Sequence, residues 1–238
     1  MKIFCDYHTH TQHSHGSGTV EDNVQAAIRR GLTSVAITDH SVRHAFYAVK
    51  DVNLYLEDIS RVREKYKDVI EVKSGLECNL LSLDGELDIP KGYENSFDLI
   101  LFGFHKLVRF SGMASSLHFM LPKATDLKTI ERNTQAYISA IKNYNVNIIT
   151  HIGYGLPVDK LEIASACASR GVMLEINTKH PEFSVSELKA CQDTDVRFIL
   201  SSDAHSPENV GNVENAIHKS VESGLAPERI FNAKEESR

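Results

Sequence analysis

The fold is indicated by the first forty residues, in which 2–40 read KIFCDYHTHTQHSHGSGTVEDNVQAAIRRGLTSVAITDH. The apolar run at residues 2–7 predicts a strand, and residues 34–38 predict a second one. Between them, the spacing of apolar residues over 19–30 predicts a helix, which Gly31 follows at a position typical of a C-terminal cap. A strand, a helix and a strand in this order are typical of a βα unit with parallel strands.

The same alternation continues along the rest of the chain. Further strands are predicted at residues 69–76, 98–104, 146–150, 172–176 and 196–201, and further helices at residues 54–67, 129–143, 159–170, 185–191 and 208–223. Seven strands that alternate with helical or irregular segments predict an α/β fold, a TIM-barrel-like (β/α)7 barrel that is closed or nearly closed. A doubly wound open sheet is the alternative. Residues 106–128 form a long irregular segment, which we expect to serve as a lid or binding loop.

Composition excludes several classes of protein. The 238 residues are 42% hydrophobic and contain no Pro-rich linker, so we expect residues 1–238 to form one domain with a sizeable core. The net charge of -6 argues against broad nucleic-acid binding, which normally needs a basic face. No apolar stretch is typical of a signal peptide or a membrane span. The cysteines form no CxxC pair, so we expect free thiols in a cytoplasmic protein: Cys5, Cys78, Cys167 and Cys191.

Histidines and carboxylates recur where the predicted strands end. These residues are His8, His10, His40, Glu77, His105, His151, Asp203 and His205. In parallel βα barrels, the C-terminal ends of the strands are where active sites are built. A single histidine at a strand end is usually a surface or core residue. Their joint occurrence predicts a metal site at this face of the barrel.

The spacing within this set supports metal binding. In an extended chain, the side chains of residues i and i+2 point to the same side. His8 and His10 can therefore bind one ion together, and Asp203 and His205 can likewise bind one ion together. Imidazole with carboxylate suits zinc, manganese or iron better than calcium. One four-coordinate ion cannot use so many ligands, whereas two or three ions can.

Other polar residues near the cluster allow two interpretations. Asp6 and Asp39 precede candidate ligands, and they either orient imidazoles or satisfy backbone groups at the strand ends. His13 is expected in a solvent-facing loop, and His44 lies close to the cluster in sequence. The histidines without partner spacing are expected to be structural or exposed: His118, His180 and His218.

These motifs resemble the PHP family, named after polymerase and histidinol phosphatase. The resemblance rests on His8-Thr9-His10-Thr11, Thr38-Asp39-His40 and Ser202-Asp203-Ala204-His205. It extends through Gly75-Leu76-Glu77, Gly103-Phe104-His105 and Thr150-His151-Ile152-Gly153, and so covers nearly the whole chain. Residues 84–88 and 133–136 are similar to segments of compact, single-domain bacterial PHP phosphatases.

The resemblance implies a distorted seven-stranded barrel with three divalent transition-metal ions. The implied ligand sets are His8, His10, Glu77 and Asp203 for one ion, Glu77, His105 and His151 for a second, and His15, His40 and His205 for the third. Many members carry aspartate where this chain has His15, although histidine occurs there in the compact subgroup. His13 is the rival for that position.

The resemblance also implies a function, the hydrolysis of a small phosphate monoester by a hydroxide that bridges two metal ions. Glu77 would bridge the ions, and Asp203 or His205 would carry protons to the leaving group. Histidinol phosphate is a natural candidate substrate. Four basic residues flank strand ends and are candidates to hold the substrate phosphate: Arg43, Lys106, Arg109 and Lys179.

Three alternatives remain open from the sequence. The chain could be a phosphodiesterase or exonuclease that acts on nucleotides or DNA ends, although its acidic charge counts against this. It could be a non-catalytic metal-binding domain, or an amidohydrolase, whose barrel also begins with an HxH pair. Among partners, we expect a small phosphorylated substrate, with no membrane and no nucleic acid. The oligomeric state cannot be read from the sequence.

Overall fold

Seven parallel strands form the centre of the computed structural model, which describes residues 1–120, 126–180 and 182–234. The strands are β1 (Lys2–Ile3), β2 (Cys5–Asp6), β3 (Ser34–Ile37), β4 (Glu71–Asn79), β5 (Leu99–Gly103), β6 (Ile148–Ile149), β7 (Met173–Asn177), β8 (Arg197–Ser201) and β9 (Ala233–Lys234). Strands β2 to β8 lie side by side in chain order, and every neighbouring pair is parallel. The predicted α/β barrel of seven strands is therefore confirmed.

Two strands differ from the prediction. The apolar run at residues 2–7 is divided, because β1 pairs antiparallel with β9 outside the barrel and only β2 joins β3. The strand predicted at residues 69–76 extends further as β4, so that Glu77 lies within a strand and not after it. Pairing with β5 continues as far as Asn79, which explains the greater length.

Alternation along the strands separates an inner from an outer layer. Leu101 and Ile199 pack inside the barrel with residues such as Cys5, whereas their neighbours in sequence face the helices. Glu77 is paired in register with Leu101, and Glu175 with Ile199. Because side chains at paired positions share a face of the sheet, both glutamates point inward above the apolar interior.

The barrel is nearly closed between its first and last strands. Asn232 fills the gap at one end, since its Nδ2 donates to Cys5 O and Leu200 O, both at 2.8 Å, and its Oδ1 accepts from Leu200 N at 3.0 Å. At the other end, Thr9 and Ala204 form a parallel bridge. This closure brings the HxH pair of the first strand next to the DxH pair of the last.

We expect Asn232→Ala to lower the free energy of unfolding by about 2–4 kcal/mol, because three hydrogen bonds are lost and buried backbone groups of Cys5 and Leu200 stay unpaired. Urea unfolding in the presence of a chelator measures this without a contribution from metal binding. The matched control is Asn145→Ala at an exposed position, which should change stability by less than about 0.5 kcal/mol. Equal midpoints for the two variants would contradict the proposed role in closure.

The helices cover the outside of the barrel. They are α1 (Val20–Arg29), α2 (Val52–Tyr66), α3 (Met113–Met120), α4 (Leu127–Asn143), α5 (Lys160–Arg170), α6 (Val185–Cys191) and α7 (Glu214–Glu222). The helix predicted at 208–223 is shorter, because Gly211 adopts a positive φ of 74° after a 3-10 turn at Pro207–Asn209. The segment 106–128 is not irregular throughout, since it contains α3; residues 121–125 of it lie outside the described residues.

None of the described helices is both long and apolar enough for a membrane span.

Candidate metal centre

The candidate ligands converge at the C-terminal ends of the barrel strands, where they border a cavity of about 570 Å³. His15, His40, His105, His151 and His205 line this cavity together with Glu77 and Asp203. His8 and His10 are fully buried beneath it. All nine predicted ligands are therefore close to one another.

Glu77 lies at the middle of the cluster, and its two oxygens face different imidazoles. Oε1 lies 2.8 Å from His151 Nε2, 3.3 Å from His8 Nε2 and 3.5 Å from His105 Nε2. Oε2 lies 2.8 Å from His40 Nδ1 and 3.7 Å from His10 Nε2. A carboxylate in this position can serve two ions at once.

Asp203 occupies the other side of His8 and His10. Its Oδ1 lies 3.3 Å from His10 Nε2 and 3.8 Å from His8 Nε2. The two imidazoles approach each other to 3.2 Å between their Nε2 atoms. Asp203 has a positive φ of 51°, and His151 has one of 25°. Such backbone is uncommon outside glycine and is found most often where function requires it.

A third group of imidazoles lies nearer the mouth of the cavity. The ring of His15 lies 4.1 Å from that of His205 and 4.9 Å from that of His40, measured between centroids. His13, the rival for this position, points to α2, where its Nε2 lies 3.1 Å from Asp58 Oδ2. The side chain of His13 is only 14% exposed, so its prediction as solvent-facing is wrong.

Neighbouring imidazoles keep Glu77 and Asp203 ionised, and burial keeps His15 and His40 neutral. Burial alone would raise the pKa of Glu77, but the imidazoles of His8, His105 and His40 hold it well below its usual value. The pKa of Asp203 is likewise low, because His8 and His10 outweigh the effect of burial. Burial lowers the pKa of His40 to about 3 and that of His15 to about 4. Neutral imidazole and ionised carboxylate are the forms that bind metals.

The donor set fits divalent transition metals. The buried atoms His15 Nδ1, His40 Nδ1 and Glu77 Oε2 have no hydrogen-bond partner among the described residues, although His40 Nδ1 and Glu77 Oε2 are only 2.8 Å apart. A carboxylate oxygen and a ring nitrogen this close share either a proton on the nitrogen or a cation that both bind, and the number of imidazoles that converge on Glu77 favours the cation. Three sets have all their ligand atoms within 4.8 Å of one another: His8, His10 and Asp203; His10, His40 and His205; and His40, Glu77 and His105.

Glu175 is the most important residue that the sequence analysis missed. Its Oε1 lies 2.6 Å from His8 Nδ1, and its Oε2 accepts from His151 N at 2.7 Å and from Asn177 Nδ2 at 2.9 Å. Burial raises the pKa of this carboxyl group, but the neighbouring imidazoles of His8 and His151 bring it below its usual value. The signal was present, because a carboxylate between Leu174 and Ile176 is unusual in an apolar strand.

Asn79 and Thr150 orient two side chains of the cluster through hydrogen bonds. Asn79 Oδ1 lies 2.7 Å from His105 Nδ1, which leaves Nε2 of that ring for the cluster. Thr150 Oγ1 donates to Glu77 Oε1 at 2.9 Å. Gly103 allows this approach, since a Cβ there would collide with Thr150 Oγ1 and lie 2.7 Å from His151 Cε1.

The aspartates beside the ligands do not orient imidazoles. Asp6 accepts from Ser202 Oγ at 2.5 Å and from Gly211 N at 2.8 Å, and so ties the first strand to the last. Asp39 accepts from Thr11 N and Thr11 Oγ1, both at 2.7 Å. Of the two interpretations, satisfaction of groups at the strand ends is the one that the geometry supports.

The cavity is lined by one histidine that was expected elsewhere and by one that was expected near the cluster. His180, predicted to be structural or exposed, lines it, and its Nε2 lies 3.7 Å from Asp203 Oδ2. That prediction was wrong, because the turn after β7 folds back over the barrel mouth, with His180 N donating to Asn177 Oδ1. His44 also lines the cavity and stacks on His40, with centroids 5.3 Å apart. His118 Nε2 donates to Asn133 Oδ1 at 2.7 Å, and His218 is exposed.

The four basic candidates divide into two pairs. Lys106 and Lys179 line the cavity, and Lys179 Nζ lies 3.0 Å from His205 Nδ1. Arg43 and Arg109 are not part of the described lining. The Arg43 guanidinium instead donates to Ser111 Oγ at 3.2 Å, and Arg109 is exposed.

Comparison with known proteins finds a domain family and curated relatives whose sequences match this chain. The sequence model of the PHP domain matches residues 6–179. A probable phosphatase of Shewanella sediminis (strain HAW-EB3) is 32% identical over 100% of this chain and 92% of its own length. A probable phosphatase of Thermoanaerobacter sp. (strain X514) is 30% identical over 98% and 91%.

Solved structures share the fold. Histidinol phosphate phosphatase from Lactococcus lactis, in complex with zinc, L-histidinol and phosphate, aligns with a TM-score of 0.64 and 20% identity over 94% of this chain and 93% of that one. A putative histidinol phosphatase of Listeria monocytogenes aligns with a TM-score of 0.58 and 16% identity, over 87% and 97%. At these identities the likeness is one of fold.

Proposed function

The chain belongs to the PHP domain family, and we propose that it hydrolyses small phosphate monoesters with three divalent metal ions bound at the strand ends. Its similarity to probable phosphatases extends over nearly their whole length, which makes it a hydrolase of phosphoric esters. The ions would be zinc, manganese or iron, and the zinc in the Lactococcus lactis structure supports the first of these. The same structure contains L-histidinol and phosphate, so histidinol phosphate is the first ester to assay.

The position of Glu77 carries this proposal. Its oxygens face two separate groups of imidazoles, with His8, His105 and His151 on one side and His40 and His10 on the other. A structural carboxylate would be satisfied by one or two hydrogen bonds and would not need five imidazoles. We assign the nine ligands to three ions in the sets that the family resemblance implies.

Bound ions would lower the pKa of water and offset negative charge on the phosphoryl oxygens. The protein residues do the rest. Lys179 extends its ammonium beside His205 at the cavity wall, where it can hold a phosphoryl oxygen. Asp203 and His205 line the same wall, and we assign to them the movement of a proton to the leaving-group oxygen. The surrounding cavity positions the ester and limits access of bulk water.

Removal and return of metal tests the proposal. We expect dialysis against a chelator to abolish hydrolysis of small phosphate monoesters, and zinc, manganese or iron to restore it. Elemental analysis of the active protein should find three ions per chain. Assays with a phosphodiester and with single-stranded DNA on the same preparation serve as controls for the alternative activity. Hydrolysis that survives complete metal removal would overturn the metal-dependent mechanism.

A further inference from the structure

One wall of the cavity has no part in metal or phosphate binding and consists of partly exposed rings. Tyr47 lies 4.2 Å from His15 between ring centroids, with 25° between the ring planes. Tyr154 lies 4.2 Å from His180. The two tyrosines are 40% and 38% exposed, and both line the cavity. Tyr47 also stacks on His44, with ring centroids 5.0 Å apart. Partly exposed aromatic side chains beside a reaction centre are typical of a ligand subsite.

The backbone holds these rings in place. The loop that carries Tyr47 is paired with the loop after β5, through an antiparallel bridge between His44 and Val108 and a hydrogen bond from Ala45 N to Leu107 O at 2.8 Å. Tyr154 lies in a turn closed by its own N–H, which donates to His151 O at 2.9 Å. The subsite is therefore formed before a ligand arrives, which lowers the entropic cost of binding.

The carboxylates and the lysines of the cavity lie in different environments. Glu77 and Asp203 are its only carboxylates among the described lining residues, and both are enclosed by imidazoles. Two cations face the open space. Lys179 lies beside His205, and its Nζ is 3.8 Å from Asp203 Oδ1. Lys106 extends toward the turn that contains Gly155, since a Cβ placed on Gly155 would lie 3.1 Å from Lys106 Cε. In the described part of the chain, no carboxylate lies within ion-pair distance of Lys106.

We propose, on the basis of the phosphatase function above, that the leaving group of the substrate is planar and carries no positive charge. The preferred substrate class is a phosphate monoester of a ring-bearing alcohol that is neutral or anionic. A flat group can pack against the exposed parts of Tyr47 and Tyr154. A cationic amine in the same place would face Lys106 and Lys179, and the carboxylates of the lining are already engaged, Asp203 with Lys179, His8 and His10 and Glu77 with imidazoles, which disfavours its binding. An amino-alcohol ester, the class to which histidinol phosphate belongs, is therefore expected to be hydrolysed less efficiently than a neutral or anionic ring-bearing ester.

A matched series of esters tests this inference with the metal-loaded full chain. The substrates are phenyl phosphate, 4-carboxyphenyl phosphate, 4-(aminomethyl)phenyl phosphate and ethyl phosphate, compared by kcat/KM. We expect the carboxy and unsubstituted phenyl esters to exceed the aminomethyl ester by at least about tenfold, a difference of about 1.4 kcal/mol. Phenoxide leaves more readily than ethoxide, so ethyl phosphate serves as the reference whose ratio to phenyl phosphate is compared between the unmodified chain and the tyrosine variant. Tyr154→Ala should reduce the advantage of phenyl over ethyl phosphate.

Charge reversal at the cavity mouth provides the second readout. We expect Lys106→Glu to lower the ratio of carboxy to aminomethyl kcat/KM by about tenfold or more, and Lys106→Gln to have an intermediate effect. Lys142→Glu is the matched control, because Lys142 is exposed in the last turn of α4 and does not line the cavity. This control should leave the ratio unchanged.

The outcomes separate the inference from the proposed function. Efficient turnover of the aminomethyl ester, or a Lys106→Glu ratio equal to that of the unmodified protein, would overturn the inference while phosphatase activity stands. Turnover of ethyl phosphate without turnover of the phenyl esters would overturn it too. If the metal-loaded protein hydrolyses no monoester at all, the proposed function fails and the inference fails with it.

Discussion

Glu77→Ala should lose at least about a thousandfold in kcat/KM for phosphate monoesters and retain fewer than three metal ions. The reason is geometric, since Glu77 supplies both of its oxygens to the centre of the cluster and is fully buried. Without it, the imidazoles of His8, His40 and His151 lose their common anion. Steady-state kinetics and elemental analysis of the same preparation measure both effects.

Two further variants sharpen this test. Glu77→Gln keeps the shape of the side chain and removes its charge, so a similar loss would assign the effect to the carboxylate itself. Glu71→Gln is the matched control. Glu71 is the first residue of the same strand, at the end away from the cluster, and its side chain is 58% exposed. Full activity of Glu77→Ala with three bound ions would exclude a bridging role for this residue.

Glu175→Gln should weaken metal binding by about 10–100-fold while the chain stays folded. Glu175 Oε1 lies 2.6 Å from His8 Nδ1, and this contact keeps the His8 proton on Nδ1 and leaves Nε2 free to face the cluster. The amide of glutamine is neutral, so the imidazole loses this orienting charge. Burial alone would lower the pKa of His8, but Glu175, Glu77 and Asp203 raise it, which shows how strongly these carboxylates act on the ring.

Competition with a chromophoric zinc chelator measures this effect independently of activity. Circular dichroism in the presence of excess chelator reports whether the metal-free variant is folded. Glu131→Gln, at an exposed position of α4, is the matched control and should bind metal as the unmodified chain does. An unchanged zinc affinity of Glu175→Gln would assign Glu175 a purely structural role in the barrel.

Much of the site followed from local rules. Alternation of strands and helices predicted the barrel, and the rule that active sites lie at the C-terminal strand ends selected every proposed ligand except His15, which only the family resemblance supplied. These predictions needed only the direction of each strand and the order of the elements. His180 was missed because the loop after β7 folds back over the mouth of the barrel, and no periodicity within a loop indicates the path that the loop takes.

The sequence by itself therefore determined the βα order, the family and the residues available to bind metal. Only the tertiary structure decided how the barrel closes through Asn232, which imidazoles share Glu77, and that Glu175 supports His8 from the opposite side of the barrel. The physical reason is distance along the chain. Strand and helix patterns arise from neighbours within a few residues, whereas Asn232 contacts Cys5 and Glu175 contacts His8 across most of the sequence, so these contacts exist only once the strands have assembled.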